Sequence, residues 1–429
     1  MNEAPTALAG YLLAFAGLTA GIAALALPPL AIPAGLAAWA AAALTWKGAS
    51  RRSLIQAGVL FLAGVTGLLW GVSQGVTPDL VRAITANMTL IGVLIGVSFL
   101  QLVALPAGDS PGEQPRGPRA FRSTGIGVHL FGSVINISTI FMVADRLSKH
   151  GPLGREQAVL LTRYFSTAGF WSPFFAAMAA ALSFAPDARI VHLIAAGLPL
   201  AVIAMLISWF GTGRHVGQDF VGYPPRYRHL RVPAILALAV LIIHTWNSDL
   251  PVIAVITLLA PLITGLALLR QRQMGLPVIN HHVRRNLPRM NNELMLFLAA
   301  GVLAAGLGSV LTTLGGWSLF STFGPLQAWL TTLLITGFAI AGVHPVIGIA
   351  TFGTMLLPLE PNHSLLAMTF LASWTLGISA SPLSGMNLAL QGRFGLDGMD
   401  IMRWNAGYTV IMLMVTAPLF WVAGGLLGV

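Results

Sequence analysis

Apolar runs of membrane-spanning length recur along the whole 429-residue chain. A helix needs about 20 mostly apolar residues to cross a bilayer. Uninterrupted runs near this length predict spans at 5–26, 29–46, 54–75, 85–106, 188–211, 232–247, 249–270, 291–314 and 402–428. Only 8% of the residues are charged, against about 25% in a soluble domain, so lipid must cover much of the surface. The chain is therefore predicted to be an all-α membrane protein.

Four other apolar stretches are interrupted near their centres by Gly, Pro or polar residues. They are 122–148, 157–186, 325–358 and 364–391. Backbone that is freed from helical hydrogen bonding cannot face lipid, so it must line a wet cavity inside the protein. We expect the first and third stretches to form re-entrant hairpins, and the second and fourth to form broken spans. A plain kinked helix is the alternative for each stretch.

The interruptions recur in the same order in both halves of the chain. Gly127-Val128-His129 is matched 215 residues later by Gly342-Val343-His344, and Ser172-Pro173 is matched 209 residues later by Ser381-Pro382. Such repeats are typical of secondary transporters, which bind substrate where the broken helices of two halves meet. The repeat predicts about 11 transmembrane helices plus two opposed re-entrant hairpins.

The basic residues test this layout independently. Of the 23 Lys and Arg residues, 20 fall in segments that the layout places on one side, and the exceptions are Arg82, Arg163 and Arg189. Because Lys and Arg concentrate in cytoplasmic loops, the distribution favours two halves of opposite orientation, an inverted repeat. It predicts a multi-pass protein of the bacterial cytoplasmic (inner) membrane, with its N-terminus cytoplasmic and its C-terminus periplasmic. The net charge of +10 has the same explanation, so no nucleic-acid partner is expected.

This layout resembles the ion transporter superfamily, and within it the divalent-anion/sodium symporter family. That family carries a Ser-Asn-Thr triplet in each hairpin, whereas this chain has none. The nearest matches are the segments 133–139, Ser-Val-Ile-Asn-Ile-Ser-Thr, and 351–354, Thr-Phe-Gly-Thr. The resemblance implies an elevator-type mechanism, in which hairpins, broken spans and final spans form a mobile transport domain. The remaining spans would form a scaffold, usually as a homodimer.

On this reading the chain has five segments. They are first-half scaffold with an extra first helix at 1–106, first-half transport elements at 107–211, a basic cytoplasmic linker at 212–231, second-half scaffold at 232–314 and second-half transport elements at 315–429.

The polar residues at the interruptions are the candidate ligands. Free N–H ends of a broken helix attract anions and free C=O ends attract cations, while hydroxyl and amide groups add neutral ligands. The expected substrate-binding residues are Ser133, Asn136, Ser172, Pro173, Ser381, Pro382, Ser384, Asn387 and Arg163. The expected ion-coupling residues are Ser138, Thr139, Thr351, Thr354, Ser379, His129 and His344, the histidines because they titrate near neutral pH. Alternatively, the hydroxyl groups only satisfy kinked backbone or help helices to pack.

Charge favours an anionic substrate. None of the 13 acidic residues lies deep in a predicted span, so a cation would lack a counter-charge. Arg163 lies nine residues before a break, where it is either functional or extended towards the interface. The favoured function is sodium-coupled transport of a small organic anion, with sodium as the only candidate cofactor and no metal site. His281-His282, in a basic loop, is predicted to be surface.

Other functions remain as alternatives. A proton-coupled efflux permease of the same superfamily would have nearly the same fold and site. A membrane enzyme acting on lipid is disfavoured, because the chain shows no membrane zinc motif and no Gly-x-Ser-x-Gly, so no enzyme activity is expected. A channel is a third option. The chain has no P-loop for nucleotide-driven pumping and no cysteine for disulfides or thiolate chemistry.

Overall fold

The computed structural model describes residues 3–104, 115–223, 230–247, 249–270, 275–315 and 317–429. Parts of the predicted segments 107–211 and 212–231 lie outside these residues. In the described part, nine helical runs are long and apolar enough to cross a membrane. The prediction of an all-α, multi-pass membrane protein is confirmed.

The first half contains eleven α-helices within the described residues. They are α1 (Glu3–Leu25), α2 (Ala31–Thr45), α3 (Arg51–Ser73), α4 (Leu80–Thr85), α5 (Met88–Ser98), α6 (Gln101–Ala104), α7 (Gly117–Ile135), α8 (Ser138–Leu147), α9 (Arg155–Ser166), α10 (Ala176–Phe184) and α11 (Ile190–Gly211).

The second half repeats a similar order of elements. Its helices are α12 (Arg231–Trp246), α13 (Val252–Leu269), α14 (Gly275–His281), α15 (Asn291–Thr313), α16 (Pro325–Ile340), α17 (Pro345–Leu356), α18 (His363–Ala380), α19 (Gly385–Phe394) and α20 (Gly398–Leu427). A single π-helical turn, His282–Asn286, follows α14 and lies before α15.

Two of the eleven predicted spans fall outside the nine long apolar runs. The stretch predicted at 157–186 divides into α9, with 12 residues, and α10, with 9 residues. At about 1.5 Å of rise per residue, neither piece reaches the roughly 30 Å of a bilayer core. The other is α12, which has only 16 residues.

Both predicted hairpins are helix–turn–helix pairs with a positive-φ residue at the turn. The first pair, α7 and α8, turns at Asn136 with φ +50°, and the second, α16 and α17, turns at Gly342 with φ +98°. The turns are therefore 206 residues apart, in line with the 209 of the Ser-Pro pairs. The Gly-Val-His match was wrong, because Gly127-Val128-His129 lies inside α7 whereas Gly342-Val343-His344 forms a turn.

The chain packs as two compact units. The first consists of Met1–Val103, Arg231–Ser321 and Ala350–Glu360, and the second of Ala104–Leu230, Thr322–Ile349 and Pro361–Val429. The second hairpin is thus divided, with the end of α17 in the first unit.

The first unit is built on α3 and α15, which run parallel and nearly touch. A Cβ added to Gly64 would lie 2.5 Å from the backbone of Val302, and one on Gly67 would lie 2.7 Å from the backbone of Gly306. Small residues allow this approach, and close backbone packing is the main attraction between helices in lipid.

The second unit is built around α18, all of whose residues after His363 are buried. Asn362 begins this helix by accepting hydrogen bonds from the backbone N–H groups of Ser364 and Leu365. A strap formed by residues 213–223 covers the start of α7. Gly117 N–H donates to Phe220 O and Gly222 N–H donates to Pro115 O, both at 2.9 Å.

Candidate functional site

The first interruption separates α9 from α10 and is held by the tip of the first hairpin. The Ser172 hydroxyl donates to Ser133 O at the end of α7 and accepts from the backbone N–H of Phe174. The Asn136 amide donates to Phe174 O at 3.0 Å. The Ser133 hydroxyl donates to Leu130 O within its own helix. The predicted residues of hairpin and break are therefore brought together.

The second interruption, between α18 and α19, repeats this local geometry. The Ser381 hydroxyl accepts a hydrogen bond from the N–H of Leu383, two residues later. The Ser172 hydroxyl accepts from the N–H of Phe174 at the same spacing. Both serines precede a proline, which cannot donate and so favours a turn. The Asn387 amide donates to Ser381 O at 2.7 Å, and Ser384 caps α19 by accepting from Asn387 N–H.

The two interrupted helices are in contact. A Cβ added to Gly169, in the short turn after α9, would lie 2.6 Å from Oγ1 of Thr375 in α18. The tip of the second hairpin also reaches its interruption, since a Cβ on Gly342 would lie 2.6 Å from Cδ1 of Leu383. Each break therefore packs against a hairpin tip, and both breaks belong to the second unit.

Arg163 lies inside this unit and is only 6% exposed, so the alternative of a side chain extended to the interface was wrong. Its Nε donates to Asn405 Oδ1 at 2.8 Å, and its Nη2 donates to Trp404 O at 2.6 Å. The guanidinium stacks over the ring of Tyr408, 4.8 Å from the centroid. Every one of these partners is neutral.

Asn405 is the residue that joins the two interrupted helices, and the sequence did not indicate it. It is fully buried in α20. Its amide donates to Ser379 O, in the last turn of α18, at 2.9 Å and to Thr162 Oγ1, in α9, at 3.1 Å. One side chain thus satisfies a free helix-end carbonyl and fixes Arg163. The available signal was that Asn405 is the only amide side chain in the predicted span 402–428.

No carboxylate among the described residues forms an ion pair with Arg163. A buried charge is normally paired, since leaving it unpaired costs several kcal/mol. The Nη1 group of Arg163 has no hydrogen-bond acceptor within the described part of the chain. The guanidinium is consequently an unneutralised donor that fits an anionic group.

His129 is held in one neutral form by its neighbours. Thr167 donates its hydroxyl proton to Tyr164 O, so the 2.8 Å contact with His129 has Nδ1–H as the donor. Trp171 Nε1–H then donates to Nε2 at 3.2 Å, which occupies the remaining lone pair. A second proton on this ring would require Trp171 to move.

His344 lies at a different kind of position, in the turn before α17. Its Nδ1 accepts from the N–H of Val346, and its ring meets Trp374 edge-on at 5.3 Å. It therefore caps the second arm of its hairpin, and the expected equivalence with His129 was wrong. His282 was also misjudged, because it is 1% exposed in the first unit and bonded to Ser98.

The remaining ion-coupling candidates divide between the two units. Ser138 and Thr139 begin α8, and Ser379 ends α18, all in the second unit. Thr351 and Thr354 lie in the part of α17 that belongs to the first unit, and the Thr354 hydroxyl donates to Ala350 O. Their role in ion coupling stays a prediction.

Several buried oxygen atoms near the interruptions have no hydrogen-bond partner among the described residues. They are Oδ1 of Asn387, Oγ1 of Thr139 and Oγ1 of Thr375. All three residues are fully buried. Neutral oxygen atoms of this kind are ligands for hard cations such as sodium.

An ion pair links the first hairpin to α19 at the edge of the unit. Arg393 donates to Asp145 at 2.7 Å and stacks over Phe141, also on α8. A cavity of about 370 Å³ opens beside the pair, between these residues and Leu153.

A solved transporter structure is similar to this chain. The crystal structure of the Alcanivorax borkumensis YdaH transporter, described as having an unusual topology, aligns with a TM-score of 0.43 at 15% identity. The alignment covers 86% of this chain and 84% of that one. No family model and no curated protein matches the chain, so the resemblance to the divalent-anion/sodium symporter family stays a prediction.

Proposed function

We propose that the chain is a secondary active transporter that carries a small organic anion across the membrane, with Arg163 as the residue that binds the anionic group. The observation that carries this proposal is a buried guanidinium whose described partners are all neutral. An anionic group at Nη1 would supply the missing counter-charge, and arginine is well suited to bind carboxylates with two parallel hydrogen bonds.

The interrupted helices support the same conclusion. The first residues of α10 have no side-chain cap, whereas α19 is capped by Ser384. The uncapped N–H groups of α10 carry partial positive charge and favour an anion. Paired helix interruptions in a membrane protein are the usual setting of a substrate site.

Sodium coupling is part of the proposal. The unpartnered oxygens of Asn387, Thr139 and Thr375 can bind sodium without a carboxylate. The neutral hydrogen bonds around His129 oppose a proton-binding role for it, which disfavours the proton-coupled efflux permease.

The division of the chain into two compact units supports an elevator-type mechanism. In that mechanism, one body carries the substrate past another, and each must have its own packed interior. The first unit has the glycine-packed α3 and α15, and the second has the buried α18. We propose the second unit as the mobile transport domain and the first as a scaffold that forms a homodimer.

Uptake by proteoliposomes tests the proposal. The purified chain should take up organic carboxylates from a mixed panel of anions and cations, with uptake driven by an inward sodium gradient. Arg163→Met should abolish uptake, while Arg403→Gln, which changes an exposed arginine on α20, should leave it unchanged. Uptake of cations alone, or normal anion uptake by Arg163→Met, would overturn the anion site. Uptake driven by a pH gradient without sodium would establish the efflux permease instead.

A further inference from the structure

Two basic turns lie side by side at one end of the first unit. The first, residues 46–53, joins α2 to α3, and the second, residues 281–292, leads into α15. The backbone N–H of Ser50 donates to Asn292 Oδ1 at 2.8 Å, and the Asn291 amide donates to Thr45 O at 3.4 Å. We call the surface of these two turns the basic end.

The basic end carries six cationic side chains, all exposed: Lys47, Arg51, Arg52, Arg284, Arg285 and Arg289. Five of them, Lys47, Arg51, Arg52, Arg284 and Arg289, form no ion pair with a carboxylate of the described residues. Neither turn contains an acidic residue. The nearest one that follows, Glu293 in the first turn of α15, is half-buried. The positive charge is therefore left for a partner to neutralise.

Helix dipoles add to this charge. Gly64 contacts Val302 and Gly71 contacts Ser309, so residue numbers rise in the same direction along α3 and α15. The two helices therefore run parallel, and both begin at the basic end. The N-terminus of a helix carries partial positive charge and ordinarily favours acidic residues. The first turn of α3 has none and instead begins with Arg51-Arg52. This arrangement is unfavourable for the helix alone and becomes favourable when an anion is bound.

Apolar side chains border the same surface. Trp46 is 50% exposed, Ile55 on α3 is 56% exposed and Leu276 on α14 is 70% exposed. Tryptophan is enriched where membrane-spanning helices reach the headgroup layer. A ligand that matches both features has a phosphate group and acyl chains together.

We propose that the basic end binds the headgroup of an anionic phospholipid. Basic surfaces at helix ends on the cytoplasmic side are suited to such headgroups, and each nearby Lys or Arg adds to the attraction. The bound lipid would hold α2, α3 and α15 together at this end. This assignment is independent of the transported substrate.

Binding is tested on the full chain in neutral detergent. Adding phosphatidylglycerol or cardiolipin should raise the melting temperature, whereas phosphatidylcholine and soluble glycerol phosphate should not. The variant with Arg51, Arg52, Arg284 and Arg289 changed to Gln should bind the anionic lipids at least about tenfold more weakly. The control changes the exposed Arg119, Arg155, Arg214 and Arg403 to Gln, which removes the same charge, and should bind like the unmodified protein.

A measurement on the unmodified protein covers the case in which the variant does not fold. Phosphatidylglycerol with a photoreactive headgroup should cross-link mainly to peptides within 46–53 and 281–292. Cross-links spread evenly over all basic loops, or equal weakening in both variants, would show that only general charge attracts the lipid and would overturn the proposal. Stabilisation by glycerol phosphate alone would identify a soluble anion as the ligand and would also overturn it.

Discussion

Asn405 offers the sharpest test of how Arg163 binds an anion. In the native protein the amide oxygen accepts from Arg163 Nε at 2.8 Å, and the amide nitrogen donates to Thr162 and Ser379. Asn405→Asp keeps the shape of the side chain but places a carboxylate against the guanidinium. Arg163 would then have an internal counter-ion in place of a neutral partner.

The electrostatic effect on substrate follows from Coulomb's law. Two unit charges about 6 Å apart, at an effective dielectric constant of about 20, repel each other by roughly 3 kcal/mol. An anion bound at Nη1 would meet this repulsion from the new carboxylate, which corresponds to about a hundredfold loss of affinity at 1.4 kcal/mol per factor of ten. The fold should survive, because the two lost donor bonds, each worth about 1 kcal/mol, are offset by the new ion pair.

Asn405→Ala should reduce the stability of the fold, whereas Asn405→Asp should reduce the affinity for the anion. It leaves the buried Arg163 Nε–H and the Ser379 carbonyl without partners, and we expect a stability loss of about 3–5 kcal/mol. Melting temperature in detergent and concentration-dependent anion uptake in proteoliposomes should separate the two variants. If Asn405→Asp takes up the anion with native affinity, the positive charge of Arg163 does not bind the substrate and the proposed site is refuted.

Three further substitutions test the packing, each by thermal unfolding in detergent. Gly342→Ala should lower the free energy of unfolding by about 1–3 kcal/mol, because φ is +98° there. Gly337→Ala, inside α16 with open space around it, should leave the free energy of unfolding unchanged. Gly64→Ala should lower the free energy of unfolding by at least about 2 kcal/mol, because the added methyl group overlaps the backbone of α15. Gly58→Ala is the control, since a Cβ there meets nothing within 4 Å. An equal loss in the two variants would contradict the close approach of α3 and α15. Trp171→Phe should lower the free energy of unfolding by about 1 kcal/mol, because it removes the indole N–H that donates to His129. If sodium-driven uptake becomes dependent on pH in this variant, His129 can bind a proton once that donor is gone.

Local patterns were enough to locate the helices and their interruptions. Hydropathy placed both ends of α3 and α15, and the start of α18, within about three residues, because apolar length decides which segments cross lipid. The Ser-Pro pairs were matched correctly because proline enforces the same turn wherever it follows a serine in this setting. The Gly-Val-His match failed because glycine tolerates both helix and turn, so the same three letters gave two conformations.

The centre of the site could not be predicted in this way. Arg163 and Asn405 are 242 residues apart, and their contact depends on how α9, α18 and α20 pack, which no local pattern records. The burial of His282 has the same origin, since its partner Ser98 lies 184 residues away. The sequence named the charged residue, whereas only the fold shows which neutral groups surround it.

The strap at 213–223 makes the two arms of the first hairpin unequal. Backbone hydrogen bonds fasten the start of α7 to the strap, whereas α8 is fastened at its far end by the side chains of Asp145 and Arg393. Since the chain has no native cysteine, a cysteine pair introduced at positions 116 and 221, which face each other in an isolated β-bridge, would add a covalent bond to this attachment of α7. The Asp145–Arg393 pair is exposed, and exposed ion pairs contribute only about 0–1 kcal/mol, so the attachment of α8 is the weaker of the two.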